Sequence, residues 1–454
     1  MDDFQMMDGP TPLTSISRPF DEILHEPGYL EYQEELRCLI FNTAQTEPPS
    51  RDGTPGPALQ PGDSYTPEQR IEAQAQFEAA LSHGRRLEYL QNWIAEVAPW
   101  LDMFDSDGAF TIQVPNLAQR CPALLYAMLA LSARQLERKE QTQHSFDSLE
   151  LYQQAIRLLG PLLQARDMAL IPTCVILCVL EMMSASPQDW RKHLEGCAAL
   201  FDAMGVNGFS GGILQSVFWC YARMDLCGAL ISDGTRATLV PMAQWLPPGS
   251  HVARAASLFR DCMSPEMHAN YAVFLCSRVC ELISDRTAFT ELGEANGCDD
   301  QEFKARWTTI WHELQEWVSM RPEEMKPIQS VQAEPFPQIL FAHWPAISSN
   351  QLYHTACILL LEAVPQGVLA EGGQEWSATW HAKSVCGISL TNPHPGCLNN
   401  AIQPLWIAGR LLSHKSEHLL VAKLIRSIES MTGWATTWRI SDLEAEWGHK
   451  VQVA

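Results

Sequence analysis

The chain has 454 residues, room for up to about three domains at roughly 150 residues each, and 46% of them are apolar, an ordinary globular share. Its 31 basic against 53 acidic side chains leave a formal charge of −22, which argues against direct nucleic-acid binding, since phosphate contacts need clustered Lys and Arg. Asp2, Asp3, Asp8, Asp21, Glu22 and Glu26 stand where an export signal needs a basic start and an apolar run, and the 14 cysteines read as reduced thiols, so the nucleus or cytoplasm is expected.

Residues 1 to 80 hold 15 acidic against 4 basic side chains. Residues 1–67 are therefore expected to form an acidic, largely disordered arm with one candidate docking helix at 29–45, whose apolar residues are Leu36, Leu39, Ile40 and Phe41. From Glu47 to Pro67 the density of proline and glycine predicts a flexible linker.

From about Thr66 onward nearly every segment has helical spacing, and no run alternates with the period of a half-buried strand. Residues 68–454 are predicted to be an all-α body. Leu87, Leu90, Ile94, Val97 and Leu101 form one stripe; Leu149, Tyr152, Ile156 and Leu159 a second; Phe303, Trp307, Ile310, Leu314 and Trp317 a third, and each must be buried against a neighbour. Cys174 to Leu180 is apolar all round, as befits a central helix. The longest apolar run, Ala169 to Leu180, falls short of the roughly 20 residues that span a bilayer, so no membrane insertion is expected.

Gly205 and Gly234 fall where helices should stop. Further breaks are expected at Pro241 to Ser250, Asp285 to Asp299, Met320 to Gln338, Pro365 to Gln374 and Thr391 to Gly396. No segment repeats at a fixed period, which leaves an irregular superhelical or array-like domain.

Signals for chemistry are sparse. Cys174 and Cys178, like Cys276 and Cys280, are four residues apart within apolar helices, and no two cysteines have a two-residue gap, so core packing is expected and neither metal nor cofactor. Gly208, Ser210 and Gly212 spell G-x-S-x-G, but a hydrolase elbow needs a strand before the turn and the preceding segment is helical. Asp299 and Asp300 resemble the start of a magnesium-binding aspartate motif whose closing acid is here Phe303.

One constellation mixes aromatic and hydrogen-bonding side chains on two helical segments: Trp190, His193, Trp219, Tyr221, Arg223 and Asp225. Such a mixture suits a pocket for a hydrophobic small molecule. Aromatics at helical spacing are, however, mostly core.

The segments around these residues carry a resemblance. Asp189 to Gly205 (DWRKHLEGCAALFDAMG) and Phe218 to Ile231 (FWCYARMDLCGALI) resemble the signature helices of the fungal-specific transcription factor domain, the helical region that follows the zinc binuclear cluster of fungal regulators. Glu88 to Asp105, Cys121 to Glu140, Ala401 to Leu412 and Thr432 to Gly448 are similar to further segments in the same order. DNA-binding members carry six cysteines in two C-x2-C-x6-C halves, whereas only Cys38 precedes Cys121 here.

The resemblance therefore implies a regulator of secondary metabolism without its own DNA-reading cluster, sensing a hydrophobic metabolite or pairing with a protein partner, as a homo- or hetero-oligomer. The alternative is a cofactor-independent cyclase, of the pericyclic kind, on the same scaffold. Such chemistry rests on orientation and a few hydrogen bonds and needs no catalytic motif.

Overall fold

The computed structural model describes residues 34–36, 38–40, 65–80, 83–140, 147–184, 190–262, 264–368 and 372–452. Most of the expected acidic arm and its linker lie outside the described residues. Of the candidate docking helix, residues 34–36 and 38–40 are helical, with Leu36 and Ile40 buried. Ile40 reaches Gly196, where a Cβ would stand only 3.1 Å from the Ile40 Cγ2.

The expected linker ends earlier than its composition suggests. Tyr65 is buried and donates its hydroxyl to the Leu158 carbonyl. Thr66 then caps the first helix of the body reciprocally with Gln69, at 2.9 and 3.2 Å, which satisfies two of the backbone N–H groups that a helix start leaves without partners.

The body is all-α in class. Its helices are α1 Pro67–Ala80, α2 His83–Asn92, α3 Pro122–Glu140, α4 Asp147–Arg157, α5 Leu159–Ala165, α6 Leu170–Ser184, α7 Trp190–Met204, α8 Gly212–Ile231, α9 Pro265–Glu291, α10 Asp300–Ser319, α11 Trp344–Glu362, α12 Ala378–Thr391, α13 Ile402–Arg410, α14 Lys415–Thr432 and α15 Trp438–Trp447. Short helical segments at Ala98–Leu101, Val114–Ala118, Ala255–Cys262 and Pro395–Asn400 fill connections. A small antiparallel ribbon, β1 Gln329–Val331 with β2 Gln338–Leu340, pairs Ser330 with Ile339. Its strands are three residues long and mostly exposed, too short to show an alternation in sequence.

Two wholly buried helices organise the packing. Every residue of α6 is buried, as the all-apolar run predicts, with α3, α7 and α8 around it. Pro345 to Leu360 of α11 are likewise all buried, surrounded by α9, α10, α12 and α13. The α8 to α9 contact joins the two halves, and α14 returns to α3, where the Gln135 side chain donates to the Thr432 carbonyl and Arg138 to that of Gly433.

The second and third stripes pack as expected: Tyr152, Ile156 and Leu159 are buried, and so are Phe303, Trp307, Ile310, Leu314 and Trp317. Gly205 and Gly234 have φ of +66° and +74° and end their helices, a backbone conformation that L side chains resist. The break expected from Asp285 comes later, since α9 continues to Glu291.

The first stripe is corrected. Leu87 and Ile94 are 56% and 53% exposed, and the buried face is Tyr89, Trp93, Val97 and Leu101. A π-helical turn at Trp93–Val97 supplies the reason. It takes more than 3.6 residues, so side chains spaced by four stay on one face. The face is testable with one chemical change made twice. Leu101→Ala should destabilise by about 2 to 5 kcal/mol, whereas Leu87→Ala should stay within about 0.5 kcal/mol of the parent, both read from urea unfolding of the full chain.

Candidate functional site

The structure brings Trp219, Tyr221, Arg223 and Asp225 together on α8, all buried. Trp190 and His193 fall on α7, but their side chains lie outside the described residues. The polar atoms of the α8 group are taken up by the protein backbone. The Trp219 indole donates to Gly208 O at 2.8 Å, the Tyr221 hydroxyl to Leu194 O at 3.1 Å, and Arg223 Nη2 to Leu101 O at 2.7 Å. Asp225 accepts from the N–H groups of Leu239 and Val240.

Arg223 also stands over the Phe104 ring at 5.0 Å and borders a small cavity of about 80 Å³ with Trp100, Met182 and Trp434. The G-x-S-x-G turn serves the same packing. The Ser210 hydroxyl accepts from Asn207 N at 2.9 Å, and a Cβ at Gly208 would come within 2.6 Å of the Trp219 ring.

A much larger cavity, about 690 Å³, lies between α10, α11 and α12 and under the β1–β2 ribbon, within the about 300 to 1,000 Å³ range of small-molecule sites. One wall is indole. Trp307 and Trp311 of α10 are stacked with centroids 5.4 Å apart and planes 11° apart, and Trp376 approaches Trp311 to 4.7 Å. Trp380 meets the His354 ring edge-on at 5.4 Å, and Phe341 and Tyr353 also line the space.

Sequence reasoning places Trp307 in a core stripe, and it is core: its indole N–H donates to Leu360 O at 2.9 Å. What the stripe does not show is that its flank, Trp311, faces Trp376 from beyond the Pro365 to Gln374 break. The signal in sequence is polar. Asn350, Tyr353 and His354 sit three and four residues apart within the polar stretch of a buried helix, and so share one face.

The polar groups of this cavity form a defined set. His354 Nδ1 is 2.7 Å from His381 Nδ1, and His381 Nε2 is 2.9 Å from the Glu375 carbonyl. A carbonyl only accepts, so the His381 proton is on Nε2, its Nδ1 accepts, and His354 donates from Nδ1. The His354 Nε2 is thereby left as an acceptor, on a residue that lines the cavity.

Burial drives both rings toward neutrality. The His381 pKa is brought down to about 4, and that of His354 well below the usual histidine range, with His381 and Arg321 adding to the effect. Arg321 is held by Nε donating to Val318 O at 2.9 Å and Nη1 to Asn350 Oδ1 at 2.6 Å. Gln315 takes the Tyr353 hydroxyl on its Oε1 at 3.4 Å, while its buried Nε2 has no partner among the described residues.

Among the described residues, no three His, Cys, Asp or Glu side chains converge. Asp299 caps α10 through its carboxylate and Asp300 pairs with Arg286, so the acidic pair has a helix-end role. No helix among the described residues is long and apolar enough to cross a membrane.

Comparison with known proteins adds three findings. The model of the fungal specific transcription factor domain matches residues 88–445. The transcription activator AMTR1 of Alternaria alternata is 24% identical over 344 residues, which are 61% of this chain and 44% of that protein; the chain thus spans less than half the length of this relative. No solved structure matches.

The neutral histidine pair has a measurable consequence. An unfolded histidine titrates near 6.5, and His381 near 4 in the fold, so below pH 6.5 the unfolded chain binds the extra proton. Stability is full above pH 6.5 and falls as pH drops toward 4. His381→Gln keeps a donor for the Glu375 carbonyl and removes this titration. Between pH 7 and 4 the parent should lose about 2 to 3 kcal/mol relative to the variant. Asp102, pushed up to about 6 by burial, acts in the opposite sense but is common to both proteins, so the difference in urea midpoints reports the histidine pair, in which His354 is relieved of the His381 contribution to its lowered pKa.

Proposed function

Because the chain belongs to the fungal specific transcription factor domain family, we propose that it is a nuclear regulator of transcription whose helical body responds to a hydrophobic small molecule. The observation that carries this reading is the family match over residues 88–445, which takes in both buried helices and the large cavity. The similarity to a transcription activator points the same way. We place the small molecule in the cavity of about 690 Å³ rather than beside Arg223, where about 80 Å³ is below the roughly 300 Å³ of small-molecule sites.

A sensor of this kind needs a ligand site coupled to elements that can shift. The cavity meets the need through its position: α10, α11 and α12 line it, and α11 packs against α9, which contacts α8 in the other half. A ligand that fits one arrangement of these helices better than another biases the whole body by its differential affinity.

The regulated genes, in this reading, serve secondary metabolism. Deletion of the gene, followed by transcript sequencing and metabolite profiling, tests the proposal. Transcripts of a biosynthetic gene set should fall together with their product, and restoring the chain should restore both. Unchanged transcripts with a stalled intermediate would overturn regulation in favour of an enzyme on the same scaffold.

A further inference from the structure

We propose that the cavity between α10, α11 and α12 binds an elongated, flat, conjugated monocarboxylic acid, with its carboxylate at Arg321 and its unsaturated body against Trp307, Trp311 and Trp376. The inference rests on the reading of the body as ligand-responsive and names the class of ligand.

The cavity is long because α10 lines it from Trp307 to Val318, about 16 Å at 1.5 Å per residue. Its two ends differ. At the Trp307 end the indoles of Trp307, Trp311 and Trp376 supply broad apolar faces, which favour offset stacking with a planar π system. Beyond Val318 stands Arg321, and among the described residues no carboxylate lies within ion-pair distance of it.

The guanidinium is aimed before any ligand arrives. Val318 O and Asn350 Oδ1 fix Nε and Nη1, which leaves Nη2 to donate. Guanidinium recognises carboxylate through a charge-assisted hydrogen bond that a neutral group does not replace.

The two ends set the direction of the ligand, since the indoles offer only apolar faces and the charge stands at Arg321. Between the ends, the His354 Nε2 accepts, and a hydroxyl midway along the ligand meets its complement there.

The probe for this class is trans-parinaric acid, a straight conjugated tetraene acid whose absorption overlaps tryptophan emission, with its methyl ester as the uncharged control. Titrated into the full chain, the acid should bind saturably at one equivalent and quench tryptophan emission by energy transfer. The ester should bind about tenfold or more weakly, the loss expected when a charge-assisted hydrogen bond is removed.

Arg321→Gln should weaken the acid by a similar factor and leave the ester within about twofold. If that variant does not fold, the acid-to-ester ratio in the parent decides alone. Equal affinity for acid and ester, absence of saturable binding, or unchanged acid binding by a folded Arg321→Gln chain would each overturn the inference. These outcomes are separable from those of the deletion experiment. Binding with unchanged transcripts sinks only the regulatory reading, and falling transcripts without binding sink only the ligand class.

Discussion

A helix with no solvent face must find a partner inside the protein for each polar side chain it carries, and α11 is such a helix from Pro345 to Leu360. The surrounding architecture answers that demand. Ser389 of α12 accepts from Gln351 Nε2 at 2.9 Å, His381 of the same helix takes the His354 proton, and Arg321 reaches in to Asn350. Asn350 in turn donates to its own helix at Ala346 O and to Met325 O. Buried amides and imidazoles are costly without such partners, so the spacing of α10, α11 and α12 is set by hydrogen bonds as well as by apolar packing. The large cavity opens along the Asn350, Tyr353 and His354 face, where those bonds are made.

The contrast with α6 shows what the polar residues change. That helix is also buried throughout, but its core side chains are Leu170, Ile171, Val175, Ile176, Leu177, Val179 and Leu180, which interdigitate with α3 and α8. Its one acid, Glu181, takes the Tyr152 hydroxyl of α4. Both helices are central, but the apolar one borders a cavity of only about 80 Å³ and the polar one a cavity of about 690 Å³. Arg223 and Asp225 of α8 belong to the first kind of solution. They bind the carbonyl of Leu101 and the amides of Leu239 and Val240, and so fix connections against the helix stack.

This division explains how far the sequence could be read. Periodicity identifies elements through a local rule, so the third stripe on α10 and the apolar Cys174 to Leu180 run of α6 are legible from a few turns of helix. The π-turn at Trp93–Val97 escapes the same rule because it changes the period itself. The cavity escapes for a different reason. Trp311, Trp376 and Trp380 come from α10, from a short turn after a break and from α12, and no local pattern states that these three places meet. A tryptophan beside a core stripe and a tryptophan facing empty space look alike in sequence. The polar run in α11 is the legible part, since Ser348, Ser349, Asn350, Gln351 and His354 contradict the apolar character of the residues around them.

Electrostatics then separates what the fold requires from what it merely tolerates. The histidine pair is self-sufficient: each proton has an acceptor, and burial keeps both rings neutral. Glu417 is similar, since it caps α14 and pairs with Lys383 at 3.1 Å, and these contacts bring its pKa down although burial opposes them. Arg321 differs. Burial lowers its pKa, the partners it has are neutral oxygens, and the side chain is only half-buried. Its charge is therefore left to solvent or to an anion from outside the chain, and the two oxygens fix the direction in which either is met.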